Sequence, residues 1–360
     1  LANNKTYEET KSDITAKLER SMKKLVEDMY KRGVITKDLK AYSIAKDTRS
    51  GRVQGNPKIH KHNNPFRTIV NGRNHPTEKM AEFVESELKE HVRSLPSFIQ
   101  DTTDFLSKVS NISELIPNNT LLFCMDVKSL YPSVPRKEAR EVVRAALNSR
   151  SKKLVPTEDI LQMLDFILQN NNFSFNGKHY IQKEGTAIGS RLGMNYASTY
   201  MGEWESQLLN ASTCKPSLYF RYVDDIWGLW TDGEEELKRF HRLANTIHPN
   251  IEVDLRYSED KIEFLDVLVK ISNGKITTDI FSKDADKHLY LHAKSSHPNT
   301  VKKAIPYGLG VRARRICSDD TTFQKQKNEI TKQLEKRGYD KQRVNCELDK
   351  VEQLNRNEIA

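Results

Sequence analysis

Residues 218–230 read Leu-Tyr-Phe-Arg-Tyr-Val-Asp-Asp-Ile-Trp-Gly-Leu-Trp. Apolar and aromatic residues flank two adjacent acids, Asp224 and Asp225, which predicts a β-hairpin with both acids at its tip. Strands disfavour Asp and adjacent like charges repel each other, so the pair requires an explanation. A turn is one explanation, because Asp suits turns. A bound divalent cation is the other, because carboxylate oxygens attract Mg²⁺ and the metal relieves the repulsion.

A third acid, Asp126, comes at the end of another short apolar segment, Leu121–Met125. If this segment and the 218–230 hairpin are neighbours in one sheet, the three carboxylates converge on one point. Such convergence is typical of two-metal phosphoryl transfer, in which ions ~3.5–4 Å apart activate the attacking hydroxyl and hold the leaving oxygens. The residues alone therefore favour a metal site over a simple turn and leave both interpretations open.

The charge of the chain indicates a polyanionic partner. Among 360 residues, 58 Lys and Arg against 49 Asp and Glu give a net charge of +9, with basic clusters in 51–73 and 301–345. Such clusters bind phosphates, although a solvated lysine-rich surface is an equal alternative from charge alone. No apolar run approaches the ~20 residues that cross a bilayer, so we expect no membrane partner. Four scattered cysteines without a CxxC pair predict a reducing, intracellular compartment.

Helical and strand patterns are mixed along the chain. Apolar residues at helical spacing predict helices over the ranges 8–31, 80–95, 136–149, 157–170, 190–210 and 234–247, and a mostly helical part after 282. Short apolar or alternating runs predict strands over 68–70, 121–125, 173–175, 179–181, 218–222, 226–230, 251–257, 262–271 and 276–281. This order indicates an α+β fold with a palm-like sheet.

A series of motifs along the chain resembles those of reverse transcriptases and occurs in the same order. Residues 123–135, FCMDVKSLYPSVP, resemble the first aspartate motif, and their Ser-Leu-Tyr continuation is similar to that of Penelope-like retroelements, relatives of the telomerase catalytic subunit. Tyr222–Asp225 resembles the second aspartate motif. The remaining matches are a fingers motif (55–70), a template-gripping motif (182–193) and two later motifs (264–267 and 288–298).

The resemblance implies roles for the matching residues. Asp126, Asp224 and Asp225 would bind two Mg²⁺ ions, which Mn²⁺ can replace, with the Val127 carbonyl as a backbone ligand. Tyr131 would be the gate that crowds a ribose 2′-hydroxyl and so favours deoxynucleotides. The alternative for Tyr131 is an ordinary core aromatic.

The fingers and template motifs supply the implied substrate contacts. Lys58, Lys61 and Arg67 would hold the incoming triphosphate, although the lysines could also be ordinary surface residues. Gly185 and Gly189 would let the backbone approach the nucleotide and the template base, or would only form turns. Gln182 lies in the same motif and would also contact the nucleotide, although its spacing to Gly189 differs among reverse transcriptase branches. Nucleic-acid contacts are expected from Arg73, Ser190, Arg191, Lys302, Lys303, Arg312, Arg314 and Arg315.

The chain departs from the family pattern at three positions. Arg191 stands where a Pro usually follows the Ser, Thr68 replaces a Pro of the fingers motif, and Asn56 replaces a Leu. None of these changes removes a catalytic group. Because Arg191 stands in the template-gripping motif, the resemblance does not fix the exact grip on the template.

We therefore predict an α+β right-hand polymerase. Its fingers would cover 1–120, its palm, an antiparallel sheet with helices, would cover 121–281, and a basic helical thumb would cover 282–360. Its reaction would be the RNA-templated addition of deoxynucleotides to a primer 3′-hydroxyl, as in a retroelement. The expected partners are an RNA template, a DNA primer and dNTPs, and chromosomal work implies the nucleus.

Other interpretations are weaker. A catalytically silent or domesticated nucleic-acid-binding protein would keep the basic surfaces, but the intact aspartates argue against it. An RNA-dependent RNA polymerase is disfavoured by Tyr131. Zinc at His288, His292, His297 and Cys317 would need tighter spacing. No GIY-YIG nuclease pattern occurs, so no endonuclease is expected in this chain.

Overall fold

The computed structural model describes residues 5–57, 66–112, 115–283 and 285–359. The chain forms two compact units, each assembled from several stretches of sequence. Unit 1 contains residues 1–98, 126–215 and 239–254, and unit 2 contains residues 99–125, 216–238 and 255–360. The expected borders of fingers, palm and thumb remain predictions.

Strands and helices occur in mixed order along the chain, which agrees with the predicted α+β class. The strands are β1 (Tyr7–Thr10), β2 (Gly51–Pro57), β3 (Phe66–Asn71), β4 (Leu121–Val127), β5 (Asn172–Phe175), β6 (Lys178–Gln182), β7 (Leu218–Tyr222), β8 (Asp225–Trp230), β9 (Val253–Ser258), β10 (Lys261–Phe264), β11 (Val267–Ser272) and β12 (Lys275–Ile280). The helices are α1 (Thr15–Lys31), α2 (Lys37–Ser43), α3 (Glu78–Ser94), α4 (Thr102–Ser110), α5 (Leu130–Ser133), α6 (Arg136–Asn148), α7 (Thr157–Gln169), α8 (Gly193–Ala211), α9 (Glu234–Ile247), α10 (Asn299–Ile316), α11 (Asp320–Lys336), α12 (Lys341–Glu352) and α13 (Arg356–Ile359).

Unit 1 contains a five-stranded sheet in the order β1-β6-β5-β2-β3. The predicted β5–β6 hairpin is confirmed, and it turns at Asn176 and Gly177, whose φ angles are 49° and 74°. The helix predicted from residue 8 is wrong, because Tyr7–Thr10 pairs with β6. Helix α1 begins only at Thr15, whose N–H donates to Asp13 Oδ1 at 2.9 Å.

The helices of unit 1 bury apolar faces against one another. Helix α8 is buried on most of its surface and packs against α3 and α6. Gly202 of α8 permits a close approach, because a Cβ there would lie 2.7 Å from Leu95 Cδ2. The N-terminal segment of unit 1 is thereby joined to the segment that follows Asp126.

Unit 2 is built around the hairpin β7–β8. The strand order is β7-β8-β4-β9, with residues 121–125 of β4 and 255–258 of β9 belonging to this unit. Trp227 stacks on Phe220 with a ring separation of 6.0 Å and meets Phe105 edge-on at 5.1 Å. This aromatic core fixes the hairpin because its rings interlock in one geometry.

A second sheet of unit 2 has the order β10-β11-β12. The single strand predicted over 262–271 is wrong, because the chain reverses at Leu265 and Asp266 between β10 and β11. Leu265 has a φ of 55°, a conformation that apolar spacing does not reveal.

The C-terminal helices α10, α11 and α12 share an apolar core that includes Ala313, Phe323, Leu334 and Leu348. Gly310 lets α10 and α12 approach closely, since a Cβ there would lie 2.8 Å from Leu348 Cδ2. The helical nature of this part is confirmed. In the described part of the chain, no helix has the length and apolar character needed to cross a membrane.

Candidate functional site

The hairpin tip presents Asp224 and Asp225 through a two-residue turn. Tyr222 pairs with Asp225, so Val223 and Asp224 form the turn between β7 and β8. Val223 has a φ of 57°, which is a strained conformation for a β-branched residue and costs about 1–3 kcal/mol. The predicted hairpin with two acids at its tip is confirmed.

Arg221 supports this turn from inside unit 2. Its side chain is buried, and Nη1 donates to the Val223 carbonyl oxygen at 3.1 Å. Its own carbonyl accepts a hydrogen bond from Ile99 N–H at 3.0 Å. The sequence does not mark Arg221 as a functional residue, because an Arg in a strand ordinarily lies at the surface.

Strand β4 lies beside β8 in unit 2. Burial raises the pKa of the Cys124 thiol most, Arg256 opposes the shift, and the Glu263 and Asp225 carboxylates add to it. Asp225 therefore acts electrostatically on a residue of β4. Asp126 follows Cys124 by two positions on the same strand, so both residues belong to one face of β4.

Asp126 is half-buried and is the first residue of the 126–215 segment of unit 1. After it, Lys128 donates its N–H to the Glu252 carbonyl at 2.8 Å, and its Nζ lies 2.5 Å from Glu252 Oε1 and 2.9 Å from Asp254 Oδ1. Ser129 then takes a φ of 49°. These contacts make the chain turn directly behind Asp126 and start α5.

The predicted gate residue, Tyr131, is half-buried in α5. Its carbonyl accepts a hydrogen bond from Thr186 N–H at 2.8 Å. A Cβ on Gly193 would lie 2.9 Å from its Cε1, so the ring lies close to the start of α8. The backbone of Tyr131 is thus tied to the predicted template-gripping motif.

Gly185 and Gly189 serve the protein's own backbone. At Gly185 (φ 59°) a Cβ would lie 2.2 Å from the Tyr131 carbonyl oxygen, and at Gly189 (φ 103°) it would lie 2.4 Å from that of Val70. Val70 N–H donates to the Ile188 carbonyl at 2.8 Å, which joins this loop to β3. Both glycines are therefore required by close packing rather than by turns alone.

Gln182 is buried, and its side-chain amide is hydrogen-bonded within the same loop. Its Nε2 donates to the Glu184 carbonyl at 2.8 Å, so its side chain orders the loop instead of facing an open site. Arg136 completes the support, with Nε donating to the Gly185 carbonyl and Nη2 to the Gln182 carbonyl, both at 2.9 Å. Arg136 was missed because its role depends on contacts distant in sequence.

A cavity of about 530 Å³ in unit 1 brings several predicted residues together. Arg73, Gly189, Ser190 and Arg191 line it. The Arg191 side chain is exposed, and its Nε lies 3.8 Å from Glu78 Oε1, which also lines the cavity.

His75, which the sequence analysis missed, lines the same cavity. Its Nε2 lies 2.9 Å from Asn172 Oδ1 and its Nδ1 lies 2.8 Å from Thr77 Oγ1. Burial lowers the pKa of this histidine, and the hydrogen bond with Asn172 opposes the shift. The ring is therefore a neutral hydrogen-bonding group at pH 7.

The predicted triphosphate ligands are only partly described. Lys58 and Lys61 lie outside the described residues. Arg67 lies in β3, paired with Asn56 of β2. The described parts of the fingers motif thus lie in the paired strands β2 and β3, with β3 at the edge of the five-stranded sheet.

The arginines of α10 donate hydrogen bonds to acceptors within unit 2. Arg312 donates to Asp266 Oδ2 from Nε (3.0 Å) and Nη2 (2.8 Å), Arg314 Nε donates to the Leu354 carbonyl at 3.3 Å, and Arg315 Nε donates to the Ile359 carbonyl at 2.5 Å. Lys302 Nζ donates to the Ser295 carbonyl at 3.0 Å. Acceptors within unit 2 thus take up donors of these four side chains, and their contact with nucleic acid stays a prediction. Lys303 is exposed and stays a prediction.

Among the described residues, no group of three or more His, Cys, Asp or Glu side chains is arranged to hold a metal ion. The hairpin tip itself carries two carboxylates, Asp224 and Asp225, and carboxylate oxygens are ligands of the kind that Mg²⁺ takes.

The arrangement of these elements is found in solved polymerases. The telomerase of Candida albicans bound to a fragment of telomeric RNA is 11% identical, with a TM-score of 0.58 over 92% of this chain and 61% of that one. The apo telomerase of Candida tropicalis is 12% identical, with a TM-score of 0.53 over 98% and 67% of the two chains. The RNA-dependent RNA polymerase of a human picobirnavirus is 8% identical, with a TM-score of 0.52 over 80% and 58%.

This is a right-hand polymerase fold. The chain spans less than two thirds of the Candida albicans telomerase and of the viral polymerase. Residues 289–348 match the family model of the animal helix-turn-helix domain. No curated protein sequence matches the chain.

Proposed function

We propose that this right-hand polymerase is an RNA-directed DNA polymerase of a Penelope-like retroelement. It adds deoxynucleotides to the 3′-hydroxyl of a primer. The observation that carries the proposal is the strained turn that places Asp224 and Asp225 at the tip of β7–β8, on a strand adjacent to β4. The ordered motifs and the fold support it.

Asp126, Asp224 and Asp225 would hold two Mg²⁺ ions or their Mn²⁺ substitutes, and the Val127 carbonyl would add a backbone ligand. When bound, the ions neutralise the charge of the triphosphate and activate the primer hydroxyl. The protein's own contribution is positioning. Arg221 and the Val223 turn fix two of the acids, and the contacts of Lys128 fix the chain behind the third.

Tyr131 would discriminate between sugars. Its backbone is held by Thr186 and its ring lies beside Gly193, so the side chain has a defined position. An aromatic ring held in this way can exclude a 2′-hydroxyl by steric overlap. Tyr131→Ala should therefore admit ribonucleotides, and an unchanged sugar preference would contradict this role.

The RNA template would lie along the cavity edge formed by Arg73, Ser190 and Arg191, where exposed guanidinium groups can contact phosphates. Lys303 would contact the DNA primer duplex. A nuclear site of action follows from this proposal, since the product is chromosomal DNA.

Primer extension tests the proposal. Purified protein with poly(rA)/oligo(dT), dTTP and Mg²⁺ should extend the primer, and Asp225→Ala should abolish extension. Asp232→Ala is the matched control, because Asp232 is an exposed acid just beyond β8. Equal extension by wild type and Asp225→Ala would refute the proposal. Salt-sensitive duplex binding without extension in Mg²⁺ or Mn²⁺ would indicate the silent nucleic-acid-binding protein instead.

We propose a second function for the C-terminal helices, favoured by the helix-turn-helix match. Helices α11 and α12 are joined by a four-residue turn, Arg337–Asp340, that contains Gly338 with a φ of 81°. The first turn of α12 exposes Lys341, Gln342 and Arg343, residue types that read base edges and phosphates. We expect this surface to bind duplex DNA.

Binding to a DNA duplex at several salt concentrations tests this second function. Lys341→Ala and Arg343→Ala should each weaken binding and reduce the salt slope by about 1. Lys327→Ala is the control, because Lys327 Nζ is paired with Asp349 and Glu352 at 2.6 Å each. If all three variants bind as the wild type does, α12 does not contact DNA.

A further inference from the structure

The β7–β8 turn contains a valine in a conformation that valine avoids. Two-residue hairpin turns with positive φ usually carry Gly, Asn or Asp, whose side chains tolerate the left-handed region. Here Val223 has a φ of 57° and its neighbour Asp224 completes the turn. Such strain persists only where the surroundings hold it in place.

Arg221 is the surrounding group that does so. Its side chain is 2% exposed, and its guanidinium donates a charge-assisted hydrogen bond from Nη1 to the Val223 carbonyl at 3.1 Å. Its main chain pairs with Ile226 across the hairpin, and its carbonyl accepts from Ile99 N–H at 3.0 Å. Because burying a guanidinium is costly, its presence here needs a specific purpose.

We infer that Arg221 is a positioning residue that holds Val223 in the left-handed conformation. This inference rests on the proposed polymerase function. If the Val223 carbonyl were not held, the valine would relax to negative φ and the 223–224 peptide would rotate. The orientation of Asp224 relative to Asp225 would then change. Arg221 thus fixes both carboxylates before any metal or nucleotide binds, which is how preorganised sites avoid reorganisation during the reaction.

The chain contains a second hairpin of the same form. Leu265 has a φ of 55° and is followed by Asp266, in the turn between β10 and β11. There the acid is held internally, because Thr102 Oγ1 donates to its Oδ1 at 2.5 Å and Arg312 donates to its Oδ2. Both hairpins have a strained turn, but only the β7–β8 hairpin carries the proposed catalytic acids. Leu265→Gly therefore relieves turn strain away from those acids and serves as a control for Val223→Gly.

The decisive experiment asks whether removing the strain rescues the loss of Arg221. Arg221→Met should lower primer extension at least tenfold. It should also lower the affinity for Mn²⁺, measured by electron paramagnetic resonance, at least tenfold. It should also speed hydrogen exchange of the 222–226 amides at least tenfold. Adding Val223→Gly should recover most of the lost extension and Mn²⁺ affinity, because glycine adopts positive φ without support.

Matched variants exclude a general packing effect. Arg150→Met removes another buried Arg, whose Nε donates to the Leu147 carbonyl at 2.8 Å in unit 1, and its effect should not be rescued by Val223→Gly. Leu265→Gly should also fail to rescue Arg221→Met. If Arg221→Met does not fold, Arg221→Lys repeats the test with the charge retained.

The outcomes distinguish this inference from the proposed function. Equal losses in Arg221→Met and in the double variant, or rescue by Leu265→Gly, would overturn the inference. If the wild type does not extend primers, the proposed function fails, whereas Mn²⁺ affinity and hydrogen exchange still decide the role of Arg221.

Discussion

Substituting Gly185 should disrupt the loop that joins Tyr131 to the template-gripping motif. Gly185 and Gly177 both lie in unit 1 and both have positive φ, 59° and 74°. They differ in their surroundings. A Cβ at Gly177 meets nothing within 4 Å, whereas one at Gly185 would lie 2.2 Å from the Tyr131 carbonyl oxygen and 2.5 Å from Pro132 Cα.

This difference sets the expected magnitudes. Gly177→Ala should cost only the left-handed conformation, about 1–2 kcal/mol. Gly185→Ala should cost the same amount plus about 1–3 kcal/mol for the backbone shift that relieves the overlap. Because the overlap is with main-chain atoms, no side-chain rotation can remove it. The shift would also displace Tyr131, so primer extension should fall in Gly185→Ala and not in Gly177→Ala.

Urea unfolding of both variants, followed by fluorescence and circular dichroism, measures the effect. At a slope of about 3 kcal/mol/M, the midpoint of Gly185→Ala should lie about 0.3–1 M below that of Gly177→Ala. Equal midpoints, or a lower midpoint for Gly177→Ala, would refute the packing argument.

Two further outcomes follow from unit 2. Burial raises the pKa of Asp266, but its bonds from Thr102 and Arg312 outweigh it and leave the pKa below its usual 3.8. Its stabilisation, about 1 kcal/mol after solvent screening, is therefore present above pH 4 and lost as pH falls through the folded-state pKa. The stability difference between wild type and Asp266→Asn, from urea unfolding, should shrink between pH 5 and pH 3, and a constant difference would contradict the assignment. Burial, with help from the neighbouring Asp279 carboxylate, raises the pKa of the Cys317 thiol to about 12. Iodoacetamide at pH 8 should therefore label the exposed Cys346 and not Cys317, as measured by mass spectrometry. Only after unfolding should both cysteines be labelled.

Much of the hairpin could be predicted from the sequence, because the apolar and aromatic residues on both sides of Asp224 and Asp225 are a local signal. The positive φ of Val223 and of Leu265 could not, since neither residue favours it. Helix α1 was placed too early because Tyr7–Thr10 becomes a strand only by pairing with β6, a partner far along the chain.

The C-terminal arginines show a different limit of sequence interpretation. Composition marks Arg312, Arg314 and Arg315 as candidate phosphate ligands, but their acceptors lie 40 or more residues away, at Asp266, Leu354 and Ile359. Spacing cannot reveal such pairings. Arg221 and Arg136 were overlooked for the same reason, because each supports a loop through backbone carbonyls.

Gly193, at the start of α8, has no side chain where the ring of Tyr131 lies, which has a consequence for engineering the enzyme's substrate preference. An alanine methyl at that position would press on the aromatic edge of Tyr131, whereas a smaller side chain at 131 would leave room that a larger residue at 193 could fill. If Tyr131 has the gate role proposed above, selectivity among nucleotide sugars should depend on the residues at both 131 and 193, so the two positions should be varied as a pair.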